Sequence, residues 1–380
     1  MPDYVVIGGG IAGVAAAARL APHGQVTILE MESTLAFHTT GRSAAMFTAS
    51  YGGHASRPLA RASRAFLENP PDESADSPLL ARRGALWIGN HDQAPLLADR
   101  AEEGRRLGAN LEMLDARQAA ELVPVLNRER LAGGLLDPEA ADLDVAALHQ
   151  AFVRLARRAA TTIITSSPVR AIERTVTGWR VRAEATTLEC DAVVNAAGAW
   201  GDQVAALAGI LPVGLTPMRR TAFMVPGDDS YARWPLVDDV EDGFYFKSDG
   251  TQILCSLAEE NPDMPGDPRP RPEDVAMAIE RINLATDLAI RTVSSEWVGL
   301  RTFAPDREMV IGEEPDAPGF FWLVGQGGTG IMTSPAYGEL VASQVLRIPL
   351  PPSLTAAGVD PVTTLPNRFR ESPLIESGTE

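Results

Sequence analysis

Lysine is all but absent from this chain: of 33 basic residues, only Lys247 is not an arginine. Positive charge is therefore presented as planar guanidinium forks, which suit paired hydrogen bonds to carboxylates better than ammonium points do. Acidic residues outnumber basic ones 50 to 33, for a net charge of −17. A surface of that sign is repelled by nucleic acid and by anionic membranes, and neither is expected as a partner. Cysteine is scarce too. Cys190 and Cys255 are far apart and lack metal-type spacing, so they are expected to pack as small apolar groups and not to bond to each other. The five histidines (His23, His38, His54, His91, His149) form no pair at helical or strand spacing, and no metal site is expected. No basic segment precedes the first apolar stretch, which glycines interrupt. It reads as neither a signal peptide nor a membrane span, and a cytoplasmic protein is expected. The 380 residues, 45% of them hydrophobic, suffice for a large core in two domains or one large α/β unit.

What the chain does have is glycine in the right places. Gly8-Gly9-Gly10-Ile11-Ala12-Gly13 follows the apolar run Tyr4-Val5-Val6-Ile7. Ala196-Ala197-Gly198 follows Ala192-Val193-Val194, and Gly325-Gln326-Gly327-Gly328-Thr329-Gly330 follows Phe320-Phe321-Trp322-Leu323-Val324. Each turn comes after a strand-like run and before a helix-like one. In the first, Gly8, Gly10 and Gly13 stand at dinucleotide-binding offsets: one for the tight turn, one for backbone approach to a pyrophosphate, one for helix–strand packing. A helix starting at Ile11 would offer free N–H groups to the phosphates. Glu30 lies 22 residues after Gly8, at the end of the next strand-like run, where a carboxylate can accept from both ribose hydroxyls.

Coarse periodicity extends this layout. Residues 4–7 and 25–29 read as parallel strands and 11–20 as a helix, with further helices near 57–67, 95–107, 115–122, 142–158, 273–288 and 331–346. Strands are expected at 85–88, 162–165, 179–183, 220–225, 243–247, 251–257 and 293–298, and loops at Pro70-Pro71-Asp72 and 262–272. A discontinuous nucleotide-binding domain would take 1–80, 141–211 and 301–350. A β-rich second domain would take 81–140 and 212–300. A polar tail would run from 351 to 380, its last ten residues expected to be mobile.

The spread of the glycine turns discriminates between cofactors. A nicotinamide domain usually places its second mononucleotide half directly after the first. Here Thr39-Thr40-Gly41-Arg42-Ser43-Ala44-Ala45 follows instead, and the next strand–glycine turn is about 150 residues away. An elongated cofactor crossing two domains, FAD, suits that spacing; otherwise 39–45 and 196–200 are plain loops. N–H groups at a helix start near Ile331 would stabilise negative charge on a reduced flavin. Arg301, at the polar end of Trp297-Val298-Gly299-Leu300, could grip a carboxylate or belong to a structural ion pair.

The chain resembles the D-amino-acid oxidase, glycine oxidase and sarcosine oxidase group of FAD enzymes, and within it the bacterial D-arginine dehydrogenases. The likeness runs from about residue 3 to 350. It is carried by 40–45, Ala62-Ser63-Arg64-Ala65-Phe66, Leu122-Val123-Pro124-Val125-Leu126, Asn195-Ala196-Ala197-Gly198-Ala199-Trp200, Gly299-Leu300-Arg301 and Gln326-Gly327-Gly328-Thr329-Gly330-Ile331. It implies a Rossmann-type, glutathione-reductase-like α/β domain plus a substrate domain built on a mainly antiparallel sheet. It implies non-covalent FAD held by Gly8, Gly10, Ile11, Ala12, Gly13, Glu30, Met31, Thr39, Thr40, Gly41, Arg42, Ser43, Ala44, Ala45, Met46, Val169, Ala197, Gly198, Trp200, Gly327, Gly328, Thr329, Gly330, Ile331 and Met332. It further implies a carboxylate clamp of Arg301 and Arg220, with Arg219 as the alternative to Arg220. Tyr245 and the lid residue Tyr51 would close over the substrate, and the carbonyl of Gly328 would accept from its amine.

The departures bear on the substrate. Ala85 stands where D-arginine dehydrogenases carry a glutamate that pairs with the substrate guanidinium, Met46 replaces a histidine and Met332 a glutamine. With Thr48, Leu236 and Asp238, these residues would line the side-chain pocket. Either the pocket is roomy and takes D-Leu, D-Met or D-Phe, the favoured reading, or Asp238 supplies a relocated anion for a basic side chain. Asp238 and Asp239 could also lie on a solvated loop. The implied reaction is hydride transfer from Cα to flavin N5, giving an imino acid that hydrolyses to a 2-oxo acid and ammonia. The rivals are a secondary-amine, glycine or sarcosine-type oxidase and a non-catalytic FAD-binding protein. The electron acceptor (a quinone, a dye or oxygen) and the oligomeric state are left open.

Overall fold

The computed structural model describes residues 3–71 and 74–370. The expected mobility of 371–380, and Asp72 in the expected loop, lie outside these residues. The first glycine turn joins a buried parallel strand, Asp3–Ile7, to a helix, Ile11–Leu20, whose residues are all buried except Arg19. A helix apolar on every side must be covered on every side. The helices Val145–Arg158 and Ser334–Val345 do this over one face of a six-stranded sheet. In spatial order its strands are Val310–Glu313, Phe320–Val324, Ala192–Asn195, Asp3–Ile7, Gln25–Leu29 and Thr162–Ile164; all pairs are parallel except the first. A three-stranded antiparallel meander, 169–190, covers part of the other face through Ile172, Trp179 and Val181.

A second sheet has eight strands, in the order Ser295–Phe303, Thr216–Pro226, Gln252–Ser256, Tyr245–Asp249, Leu236–Asp239, Ala85–Asn90, Leu131–Asp137 and Glu112–Asp115. It is antiparallel except where Leu236–Asp239 runs parallel to Ala85–Asn90. One face packs Phe223, Val237, Phe246 and Cys255 against the helix Pro272–Ala285. The opposite face, with Ala85, Trp87, Leu236 and Tyr245, turns toward Ala44 and Met46, in the segment that follows the strand Gln25–Leu29. The two expected β-rich stretches therefore feed one sheet, and the strand carrying Arg301 belongs to it.

Several element boundaries differ from expectation. The helix expected from 142 starts at Val145. Ala141–Leu143 forms a short strand between 46–47 and 80–82, and the Asp144 carboxylate caps the helix by accepting from the Ala147 amide at 2.8 Å. The helix expected from Ile331 starts at Ser334, because Pro335, which has no N–H, fits only the opening turn. Residues 351–370 are not loose. Leu354 is buried, Thr364 donates to the Ile311 carbonyl at 3.2 Å, and Arg370 pairs with buried Glu314 at 2.6 Å. The cysteines are free, buried and in separate core clusters. Among the described residues no helix is long and apolar enough to cross a membrane.

Candidate functional site

The three glycine turns, separated in sequence, meet at one end of the six-stranded sheet. Parallel pairing of Ile7 with both Leu29 and Asn195, and of Asn195 with Trp322, brings the carboxyl ends of four strands together. Ligands of open α/β sheets bind at such an edge. The cavity there has a volume of about 450 Å³. It is lined by Gly8, Gly10, Ile11 and Ala12; by Glu30 and Met31; by Thr39, Thr40, Arg42, Ser43 and Ala44; and by Val169. Ala197, Gly198, Trp200, Gly327, Gly328, Gly330 and Ile331 complete this set, and Arg220, Tyr245 and Arg301 close the far end.

The residues present fit a dinucleotide. Gly8 takes φ +108°, and a Cβ on it would lie 2.5 Å from the Ala196 carbonyl oxygen, so the first turn packs directly on the second. A Cβ on Gly13 would lie 1.9 Å from the Gly8 carbonyl oxygen; the helix can approach the strand this closely only without a side chain. Glu30 is buried, and its two carboxylate oxygens accept from the amides of Gly9 at 2.7 Å and Glu32 at 2.8 Å. These bonds aim the carboxylate into the cavity and leave lone pairs for hydroxyl donors. The Thr40 hydroxyl accepts from the Ile11 amide at 3.0 Å, tying the 39–45 loop to the helix start.

The same loop is pinned to the second sheet. The Thr39 hydroxyl donates to the Leu300 carbonyl at 2.8 Å, Arg42 to the Val298 carbonyl at 2.9 Å, and the Trp297 indole to the Arg42 carbonyl at 3.0 Å. Arg42 also pairs with Asp267 at 2.6 Å. The strand Ser295–Phe303 is thus held along the cleft, and its register places the two expected arginines. Met218 pairs with Arg301 and Arg220 with Gly299, which puts the two arginines on one face as diagonal neighbours.

Arg301 lies deep in the molecule yet half-exposed, because its open side is the cavity wall. Burial opposes its charge, while Tyr51, Tyr245, Glu260 and Asp238 more than offset that, leaving its pKa raised. Its guanidinium has no hydrogen-bond or ion-pair partner among the described residues. A Cβ placed on Gly328 would lie 3.0 Å from the Tyr51 hydroxyl and 3.3 Å from an Arg301 nitrogen, so those three residues converge. Arg220 is held below its ordinary pKa by burial and by the charge of Arg301. One of its nitrogens is 3.2 Å from Glu260, and its Nε is buried without a partner. Arg219 is disposed differently: it is fully buried against Asp263, at 2.6 Å, and the Arg269 carbonyl, at 2.6 Å. Of the two candidates only Arg220 lines the cavity.

Other expected residues stand behind the wall. Gly41, Ala45, Thr329 and Gly13 do not line the cavity, nor does Thr48, which is buried. Met332 packs in the core around the helix Ile11–Leu20, away from the cluster containing Met46, Ala85 and Leu236. It does not line the cavity, and neither do Met46, Tyr51, Ala85, Leu236 and Asp238. Asp238 is not on a solvated loop. It lies on a strand between Trp87 and Tyr245, half-buried, with its Oδ1 shut off from solvent and unpartnered. Burial foremost, then Asp242, pushes its carboxyl up to about 8.

Sequence reasoning missed His38, Phe37, Gln203 and Gln326 on the cavity wall. His38 bonds Glu32 at 2.8 Å and packs against Trp200 with ring centroids 4.6 Å apart. Nothing in its neighbourhood in the chain marks it; only Gln326, inside the third glycine turn, had a local cue.

Comparison with known proteins agrees with this geometry. The glycine oxidase of Geobacillus kaustophilus is 26% identical over 366 residues, 91% of this chain and 93% of that protein. Human mitochondrial sarcosine dehydrogenase is 24% identical over 376 residues, and this chain spans only 40% of its length. Among solved structures, the G. kaustophilus glycine oxidase superposes with a TM-score of 0.82 at 24% identity, covering 92% of this chain and 96% of that one. The L-proline dehydrogenase of P. horikoshii gives 0.83 at 20% identity, covering 97% of each. The profile of the DAO family, described as FAD dependent oxidoreductase, matches residues 3–344. With the glycine cradle in place and nine-tenths of the chain matched, the chain belongs to the DAO family of FAD-dependent oxidoreductases.

Proposed function

We propose that this chain is a D-amino-acid dehydrogenase, with residues 1–80, 141–211 and 301–350 forming the FAD module and the eight-stranded sheet the substrate module. The observation that carries the reading is the Arg301 guanidinium: deep, facing the cavity and, among the described residues, without a hydrogen-bond or ion-pair partner. A charged group in that position is stabilised when an anion docks on it, and a carboxylate matches its fork. Arg220 flanks the same carboxylate. The Tyr51 and Tyr245 hydroxyls donate to it, and the Gly328 carbonyl accepts from the amine. Held at both groups, the substrate has its Cα fixed, and the entropy of orientation is removed before reaction. Bound FAD supplies a two-electron acceptor for the Cα hydride. The amine must be neutral for its lone pair to follow as the Cα–H bond breaks, so turnover rises with pH through one ionisation. The imino acid leaves and hydrolyses to a 2-oxo acid and ammonia.

Met46, Ala85 and Leu236 pack with Trp87, Tyr245 and Ala44 in one apolar cluster, which reaches the cavity wall through Tyr245 and Ala44 and would meet the substrate's side chain there. A carboxyl titrating at about 8 is protonated at neutral pH, so Asp238 presents no anion to a basic side chain there. This favours D-Leu, D-Met or D-Phe over D-arginine. A second reading, oxidation of glycine or N-methyl amino acids, draws support from the names of the relatives above and would use the same clamp. Anaerobic bleaching of the bound flavin by D- and L-amino acids, glycine and sarcosine separates the readings. Bleaching by glycine and sarcosine alone removes the first, and bleaching by none removes both.

A further inference from the structure

Tyr51 presents a conflict that its own packing does not resolve. It is 37% exposed, yet its hydroxyl lies beside Gly328, 3.0 Å from where a Cβ there would stand, with an Arg301 nitrogen 3.3 Å from the same point. It is followed by two glycines, and Gly52 takes φ +98°. Such a segment is cheap to move, because glycine adds no barrier of its own. What holds it comes from elsewhere. Glu308 lies on the turn that follows Ser295–Phe303, the strand carrying Arg301. Its carboxylate is buried, and it accepts from the His54 amide at 2.9 Å and the Ala55 amide at 3.3 Å. The His54 ring nitrogen lies 2.8 Å from the same carboxylate. The backbone of Glu308 is itself fixed: its amide donates to Asp306 at 3.1 Å, and its carbonyl accepts from Arg368 at 3.1 Å.

The approach is so close that the chain must lack a side chain there. A Cβ on Gly53 would lie 2.0 Å from the Glu308 Oε1. Arg57 adds a second tether, donating to the Gly52 carbonyl at 2.7 Å.

We propose that Glu308 is a positioning residue: it fixes the 51–55 turn against the end of the Arg301 strand and so sets the Tyr51 hydroxyl over the carboxylate clamp. The role of Tyr51 rests on the functional reading above; the anchoring of the turn does not. Glu308 touches neither substrate nor cofactor in this scheme. Its loss therefore weakens binding more than it slows the chemistry.

The test compares the FAD-loaded wild type with Glu308→Ala, Glu308→Gln and Gly53→Ala. Amide exchange over residues 48–57 should accelerate about tenfold or more in Glu308→Ala, since the two amides lose a charged acceptor. KM for the best amino-acid substrate should rise about tenfold with kcat within about threefold. Glu308→Gln, which keeps one acceptor oxygen, should fall between. Gly53→Ala should reproduce the KM rise with the carboxylate intact, and it decides the matter if Glu308→Ala does not fold. Unchanged exchange in Glu308→Ala, or kcat falling as far as kcat/KM in both foldable variants, overturns the proposal. Accelerated exchange with unchanged KM overturns the role of Tyr51. Absence of turnover in the wild type counts against the functional reading, and the exchange result then decides alone whether Glu308 anchors the turn.

Discussion

Replacing Arg301 by alanine separates a substrate clamp from a structural ion pair, because the two predict opposite effects on stability. No carboxylate of the described protein depends on Arg301 for a bond, so the substitution orphans nothing. It also removes the charge that helps hold Arg220 below its ordinary pKa. The melting temperature of Arg301→Ala should therefore stay within about 2 °C of wild type. A substrate carboxylate, by contrast, would lose a charge-assisted pair of hydrogen bonds while staying desolvated. That costs on the order of 3 kcal/mol, or more than about a hundredfold in kcat/KM. Arg301→Lys keeps the charge and loses the fork, and should recover only part of this. Dye-coupled steady-state rates on the best substrate, beside thermal unfolding of the same preparations, give both readouts. A kcat/KM within threefold of wild type in Arg301→Ala would remove the residue from the site. A melting temperature about 5 °C lower with unchanged KM would make it a structural residue instead.

Arg219→Ala should show the reverse pattern. It breaks a part-buried pair with Asp263, lowering stability by about 1–3 kcal/mol with KM near wild type, whereas Arg220→Ala should raise KM at little cost to stability; equal kinetic effects would contradict the assignment. Gly13→Ala forces a methyl to 1.9 Å from the Gly8 carbonyl oxygen, so the ratio of flavin to protein absorbance after purification should fall sharply; full FAD occupancy would contradict the packing. Asp238 titrates at about 8 in the folded chain against 3.8 for a free carboxyl, through burial and then Asp242 and Asp239, with Arg100 and Arg220 opposing. The folded state thus keeps a proton that the unfolded state has lost between about pH 4 and 8. The contribution of this group is fully present below pH 4 and lost as pH rises toward 8. Asp238→Asn should therefore gain stability relative to wild type as pH goes from 5 to 8; parallel unfolding profiles would show that Asp238 is ionised in the folded protein.

The glycine cradle was legible because its constraints are local. Strand, turn, helix and a following acid lie within residues 4–30, and each glycine answers to a backbone approach that sequence spacing reports. Arg301 was legible as a polar residue ending an apolar strand, but not as a residue without a partner. The choice between Arg219 and Arg220 was open because neighbours in a strand point to opposite faces, and only the register with 295–303 says which face is which. The packing of Met332 in the core around Ile11–Leu20 was not legible, because those neighbours are remote in sequence. His38 and Glu308 act across long stretches of sequence and carry no local mark.

The sequence by itself determined that three glycine turns follow strand-like runs, and that the chain has arginine with which to hold a carboxylate. Only the tertiary structure decided which guanidinium at the cavity lacks an ion-pair partner among the described residues, which carboxyl burial pushes up, and which carboxylate bonds the turn after Tyr51. Turn geometry and patterning are set by residues within a few positions of one another. The pairing and desolvation of a charge are set by whatever the fold brings beside it, often from hundreds of residues away.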